Sequence, residues 1–247
     1  ADYMTTEVET VSSATSIEKI REAVVGHGQR LLPVIEDHKV VGVITRTDLL
    51  KLLQEELRTA SGEGARKTRV LSGLMREKLP EWAFTLLKEA GEVAASHGFS
   101  AYAVGGFVRD LVLRRENLDI DIVIEGGNGI VFAEDFAKRN GAKVKVHHRF
   151  KTAVIVFPDG FKLDVATARL EYYERPGALP TVEQSSLKLD LYRRDFIINT
   201  LALSLDPGRF GELIDFFGAQ KDLKEKTIRV LHNLSFIEDP TRMLRAV

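Results

Sequence analysis

The chain has no cysteine among its 247 residues. That excludes disulfides, thiolate metal centres and cysteine nucleophiles, and it fits a cytoplasmic protein. No apolar run approaches the roughly 20 residues that cross a bilayer, and the N-terminus lacks a signal-peptide pattern, so no membrane association is expected. Net charge is nearly absent as well, at −1. Any contact with nucleic acid must therefore come from local basic patches. What is present suits a folded protein: 44% hydrophobic and 29% charged residues can bury a proper core, in one large or two small domains. The sequence opens on Ala1-Asp2-Tyr3-Met4 without an initiator Met and stops at Arg245-Ala246-Val247 inside a helical pattern. It reads as a piece of a longer polypeptide.

The most informative stretch runs from Tyr102 to Glu125. Ala101 to Val104 are apolar and β-compatible, Gly105-Gly106 breaks the strand, and Phe107, Val108, Leu111 and Val112 recur at helical spacing. Gly106 would bring bare backbone N–H groups to a helix start, an arrangement that accepts phosphate without a side chain. A second strand, Leu118 to Ile124, would carry Asp119 and Asp121 on one face, with Ile120, Ile122 and Ile124 on the other. Two carboxylates side by side repel, and a divalent cation relieves that repulsion. Oxygen ligands of this kind suit Mg²⁺ shared with a substrate phosphate. A lone Asp-x-Asp is ordinarily a solvated strand edge and a lone Gly-Gly ordinarily a turn; their order and spacing together carry the functional reading.

The segment Gly105-Gly106-Phe-Val-Arg109-Asp110 followed by Asp119-Ile-Asp121 resembles the first motif of the class II tRNA nucleotidyltransferase/poly(A) polymerase family. Three further tracts resemble later motifs in the same order. Lys162-Leu-Asp164-Val places a carboxylate in an apolar strand, expensive unless compensated, at the position of the family's third acid. Arg193-Arg194-Asp195-Phe-Ile-Ile-Asn199 resembles the segment that contacts the incoming nucleotide, although Ile197 stands where the family more often has Thr. Standing alone, that cluster could be an internal ion pair. Glu238-Asp239-Pro-Thr-Arg242-Met-Leu-Arg245 resembles the nucleotide-selecting helix; its plainer reading is a helix cap with an i,i+3 ion pair.

The resemblance covers about residues 75–247 and implies an α+β nucleotidyltransferase-superfamily head. Its sheet would be mixed and about five-stranded, with helices on one side and a helical neck following. It implies Asp119, Asp121 and Asp164 as catalytic, with Asp119 and Asp121 holding two Mg²⁺ ions. Nucleotide contacts would come from Gly105, Gly106, Arg109, Asp110, Arg194, Asp195, Asn199, Asp239, Arg242 and Arg245. The activity implied is template-independent addition of C, A or both to the tRNA 3′ end from CTP and ATP. Poly(A) addition to other RNAs is the alternative, and an adenine-nucleotide-sensing regulatory module the alternative of another class. The intact Asp119/Asp121 pair argues against the last.

Ahead of the head, Ser16 is a candidate N-cap for Ile17, Ile20, Ala23 and Val24 at helical spacing. Leu32 to Ile35, a polar turn and Val40 to Ile44 read as a hairpin, and a helix is expected from Thr47 to about Leu57. The tract from Leu32 through Thr45-Arg-Thr-Asp48 resembles a CBS domain. That resemblance makes Thr45 and Asp48 candidates for an adenosyl ligand; their plainer reading is a cap and a first-turn acid. CBS units pair, so oligomerisation through this unit is a further expectation.

The expected organisation is a CBS domain over 1–57, a linker over 58–73, the head over 74–205 and a truncated neck over 206–247. Arg66, Lys67 and Arg69 in the linker are candidates for RNA phosphate contacts. A helix over 74–98 with Pro80 in its first turn would bury Trp82, Leu86, Leu87, Ala90 and Val93. Leu201, Ala202 and Leu205 read as another helix. His147 and His148, adjacent on a strand, cannot easily share a metal.

Overall fold

The computed structural model describes residues 9–23, 31–45, 48, 69–172, 181–231, 235–238 and 241–246. Asp239 with Pro240, most of the helix expected over 47–57, the linker up to residue 68 and residues 173–180 lie outside the described residues. The chain divides into two units, Ala1–Arg66 and Lys67–Val247.

In the first unit, helix α1 (Ile17–Arg21) precedes strands β1 (Leu31–Glu36) and β2 (Lys39–Thr45), which pair antiparallel. Asp37 and His38 both take positive φ, 46° and 61°, as a two-residue hairpin turn with right-handed strand twist requires. Ile20, Ala23 and Leu32 form the core, with Val11, Ile17 and Ile44 packed on it. Ser16 sits at the N-cap position, but its hydroxyl makes no capping bond.

The second unit is built on an eight-stranded sheet ordered β3-β12-β11-β4-β5-β8-β7-β6. Its strands are β3 (Arg69–Val70), β4 (Ser100–Val104), β5 (Asp121–Glu125), β6 (Lys143–His147), β7 (Thr152–Val156), β8 (Lys162–Thr167), β11 (Ala202–Ser204) and β12 (Glu212–Ile214). β9 (Arg169–Tyr172) and β10 (Thr181–Gln184) form a separate hairpin. β5 and β8 run parallel and every other pair is antiparallel, so the sheet is mixed, as expected. The helices are α2 (Ser72–Lys78), α3 (Glu81–Ser96), α4 (Gly106–Val112), α5 (Gly129–Arg139), α6 (Leu187–Tyr192), α7 (Ala219–Glu225), α8 (Ser235–Glu238) and α9 (Thr241–Leu244).

The main core lies on one face, where Ala103, Ile122, Ile124, Ile155 and Leu163 meet Leu87, Phe132 and Phe136. A smaller cluster of Tyr102, Val104, Val123 and Ala202 with Leu187 and Leu191 of α6 occupies the other face. Helices thus touch both faces, not one.

Several expectations need correction. Pro80 does not sit inside one helix: α2 ends at Lys78 and α3 begins at Glu81, because proline lacks the N–H an interior turn needs. Trp82 is 46% exposed and packs edge-on against Phe161 at 4.9 Å, outside the core stripe. Residues 201–205 are not a helix: Ala202–Ser204 form β11, and Leu201 and Leu205 flank it. All five are buried, and a strand covered on both faces shows no alternation to betray it. The backbone of Leu205 lies so close to α3 that a Cβ on Gly91 would stand 1.8 Å from its carbonyl oxygen. β12 carries the sheet past residue 205, where the head was expected to end. Arg69, expected in the linker, sits in β3 and donates to Gln220 Oε1 at 2.7 Å.

Candidate active site

β4 ends at Val104 because Gly105 turns the chain out of the sheet with φ 75° and ψ −139°. That conformation is open to glycine and strained for any other residue. A Cβ on Gly105 would stand 2.7 Å from Arg194 Nη1 and 3.6 Å from Asp121 Oδ2. The bare backbone therefore lets a guanidinium and a carboxylate close on the turn.

Register places the acids. Val104 is the last β4 partner of β5 and lies opposite Asp121; Asp121 lies opposite Asp164 on the parallel strand β8. Paired residues share a sheet face, so Asp121 and Asp164 stand side by side. Asp119 is not on the strand, contrary to expectation. With no β4 residue left to pair with, its N–H donates to Asn117 Oδ1 at 2.8 Å and its side chain is exposed.

The three acids nevertheless share one field. Burial raises the Asp121 pKa to about 6; the Arg194 charge opposes that rise, while Asp164, Asp119 and Asp190 add to it. Burial also raises Asp164, with Asp119 adding to the rise and Lys162 opposing it.

Around this row the expected nucleotide contacts form a continuous hydrogen-bonded chain. Arg109 donates to both oxygens of Asp110 (Nε to Oδ1 2.8 Å, Nη2 to Oδ2 3.0 Å) and from Nη1 to Asn199 Oδ1 at 2.8 Å. Asn117 donates to Asp110 Oδ2 at 2.7 Å, and Asn199 to Asp195 Oδ1 at 3.0 Å. Asp195 also pairs with Arg245, Nε to Oδ2 at 3.2 Å. Three sequence-distant tracts, 109–117, 195–199 and Arg245, are thereby tied together. A Cβ on Gly106 would meet this chain at Arg109 Nη2, 3.6 Å away.

Arg194 has a different environment. Its Nη2 lies 3.8 Å from Asp190 Oδ2, and Asp190 is fully buried. Arg194 Nε and Asp190 Oδ2 are both buried with no hydrogen-bond partner among the described residues. Asp190 Oδ1 is bound by Arg193, from Nε at 3.1 Å and Nη2 at 2.8 Å. Neither Asp190 nor Asn117 is singled out by sequence reasoning. Asp190 carries a signal all the same: it stands four residues before Arg194, between Leu189 and Leu191.

Arg242, another of the expected nucleotide contacts, is held among Ser235 and Arg193. It is 6% exposed, its Nη1 donates to Ser235 Oγ at 2.6 Å and its Nη2 to the Arg193 carbonyl at 3.3 Å. It thus braces the backbone beside Arg194. In the first unit, Thr45 N and Oγ1 donate to Asp48 Oδ2 at 2.9 and 2.7 Å, and Asp48 N donates back to Thr45 Oγ1 at 3.4 Å. That reciprocal pattern is a capping box.

Among the described residues, no group of three or more His, Cys, Asp or Glu is arranged to hold an ion by itself. Mg²⁺ rarely uses such a cage; it takes one or two carboxylates and completes its shell with substrate phosphate and water. Oxygen-only ligands whose ionisation is suppressed first by burial and then by neighbouring carboxylates fit such an ion. Arg194, with an unpartnered buried Nε beside the glycine turn, fits a phosphate.

The Poly A polymerase head domain matches residues 101–229, and a CBS domain matches residues 1–55. The A-adding tRNA nucleotidyltransferase of Geobacter sulfurreducens is 54% identical over 100% of this chain and 29% of its own length. That of Aquifex aeolicus is 44% identical over 96% of this chain and 27% of its own length. The Thermotoga maritima CCA-adding enzyme complexed with tRNA-CCA superposes with a TM-score of 0.64 at 46% identity, over 73% of this chain and 40% of that one. The chain spans under a third of the length of the two A-adding relatives.

Proposed function

Because the chain belongs to the poly(A) polymerase head-domain family and carries a CBS domain ahead of that head, we propose that it is the nucleotide-transferring part of a tRNA nucleotidyltransferase. It adds A, C or both to the tRNA 3′ end from ATP and CTP, in the cytoplasm. Addition of A is favoured, because two relatives that match through both units are A-adding enzymes.

The observation that carries the reading is the row Asp121–Asp164 with Gly105 and Arg194 closed against it. Asp119 and Asp121 would hold two Mg²⁺ ions. The bound ions would neutralise charge on the triphosphate and favour ionisation of the attacking hydroxyl. Arg194 and the bare backbone at Gly105-Gly106 bind triphosphate oxygens and orient the α-phosphorus. Asp164 would stand beside the incoming 3′-hydroxyl and take its proton as the O–P bond to the α-phosphorus forms and the bond from that phosphorus to pyrophosphate breaks. The chain from Asn117 through Asp110, Arg109, Asn199 and Asp195 to Arg245 fixes the ribose and base side of the site. In the first unit, Leu31, Val40, Val41 and Val43 are exposed apolar residues on the hairpin, a surface suited to pairing with another CBS unit. An adenosyl ligand there would have to open the Thr45–Asp48 box.

The test gives the full-length protein tRNA transcripts ending before the first C, after one C and after both, with CTP and ATP supplied separately. ATP incorporation into the transcript ending in CC is expected. Failure to incorporate either nucleotide into any transcript overturns the reading.

A further inference from the structure

One face of the sheet continues beyond the acids. Along β6, Lys143, Lys145 and His147 are exposed while Val144 and Val146 are half-buried. Register carries this pattern inward: Lys145 lies opposite Val154, Val154 opposite Asp164, and Asp164 opposite Asp121. These four residues form one row across four strands, ending at the catalytic acids. Lys143, Val156 and Lys162 form the next row. The intervening residues Ala153, Ile155, Leu163 and Val165 are buried in the main core, so both rows lie on the face turned away from that core. Thr152, Val154 and Val156 are half-buried there, and Lys162 is exposed.

Charge is concentrated in the same place. Residues 143–162 hold five Lys and Arg against the single acid Asp159, in a chain whose net charge is −1. Lysines on an edge strand also deter strand-to-strand association, which is the competing explanation for Lys143 and Lys145. It does not cover Lys162, which stands two strands in from the edge and shares their face. Neighbouring strands lie about 4.8 Å apart, which puts the Lys145 backbone about 10 Å from that of Asp164.

We infer that this face is a track for the backbone of single-stranded RNA. Lys143, Lys145 and Lys162 contact phosphates, the half-buried valines lie under sugars and bases, and the 3′ end is delivered to Asp164. The inference rests on the nucleotidyl-transfer reading and adds the path by which the acceptor strand arrives.

The test measures binding of a fluorescein-labelled single-stranded RNA octamer to the intact chain across a range of salt concentrations. MgATP binding is measured in parallel by calorimetry. Lys143→Ala/Lys145→Ala is compared with Lys88→Ala/Lys138→Ala, which removes the same charge from exposed positions on α3 and α5. Each phosphate contact contributes about 0.7 to the slope of log affinity against log salt for single strands. The track pair should therefore flatten the slope by about 1.4 and weaken RNA binding. The control pair should leave the slope unchanged, and both should leave MgATP binding intact. Equal slopes for the two pairs overturn the track while leaving the transfer reading standing. A wild-type chain that binds neither RNA nor MgATP overturns both.

Discussion

Replacing Asp121 with Asn should stabilise the fold while abolishing the chemistry. The Asp121 carboxyl has a pKa of about 6 in the folded chain against an ordinary 3.8. At about 1.4 kcal/mol per pH unit, that gap of about 2.2 units corresponds to about 3 kcal/mol. The sign follows from proton binding. Between pH 3.8 and 6 the folded state holds the proton more tightly than the unfolded chain, so stability falls as pH rises. Above 6 the whole penalty is present. Asn carries no charge and escapes it; the Arg194 attraction is already contained in that net shift, so the gain should be about 3 kcal/mol at pH 8. Below pH 4 the gain should vanish. Urea unfolding followed by the emission of Trp82, the one tryptophan of the chain and a residue of the second unit, reads this directly. Mg²⁺ with ATP should raise the wild-type midpoint and leave Asp121→Asn where it is. A variant less stable than wild type at pH 8, or one with the same gain at pH 4 and pH 8, would refute the reasoning.

Gly105→Ala forces a side chain into φ 75°, ψ −139° and against Arg194. It should lower stability by about 1–3 kcal/mol and weaken MgATP binding, read by thermal melting and calorimetry. Asp190→Asn strips a fully buried acid from its Arg193 pairing. A loss of about 3 kcal/mol is expected in urea unfolding, with reduced nucleotide affinity as Arg194 loses its neighbour. Thr45→Ala removes the capping box of the first unit. It should lower that unit's melting temperature by an amount equivalent to about 1 kcal/mol and leave nucleotide incorporation unchanged.

Which residues to examine was legible in the sequence; how they meet was not. Gly105 and Asp121 stand out because a glycine break and an acid in an apolar strand each violate local preference. Their closure on Arg194 depends on the register of β4, β5 and β8, and local patterns carry no register between strands so far apart in the chain. Asp119 reads as a strand residue because the apolar pattern continues through Leu118 and Ile120, while the ladder stops at Asp121, where Gly105 leaves it. An acid on a short helix, such as Asp190, ordinarily faces water; its burial beside two arginines is a tertiary fact. Residues 201–205 looked helical for the opposite reason: burial on both faces erased the alternation that marks a strand. Trp82 looked like core because aromatic residues usually are, yet α3 turns it to the rim against Phe161.

The most direct measurement is a crystal structure of the chain soaked with Mn²⁺ and a non-hydrolysable ATP analogue, with anomalous scattering locating the metal. The expected result is metal bound by the Asp119 and Asp121 carboxylates, with the triphosphate against Gly105, Gly106 and Arg194. Metal bound elsewhere, or a triphosphate seated away from the glycine turn, would contradict the placement of the active site.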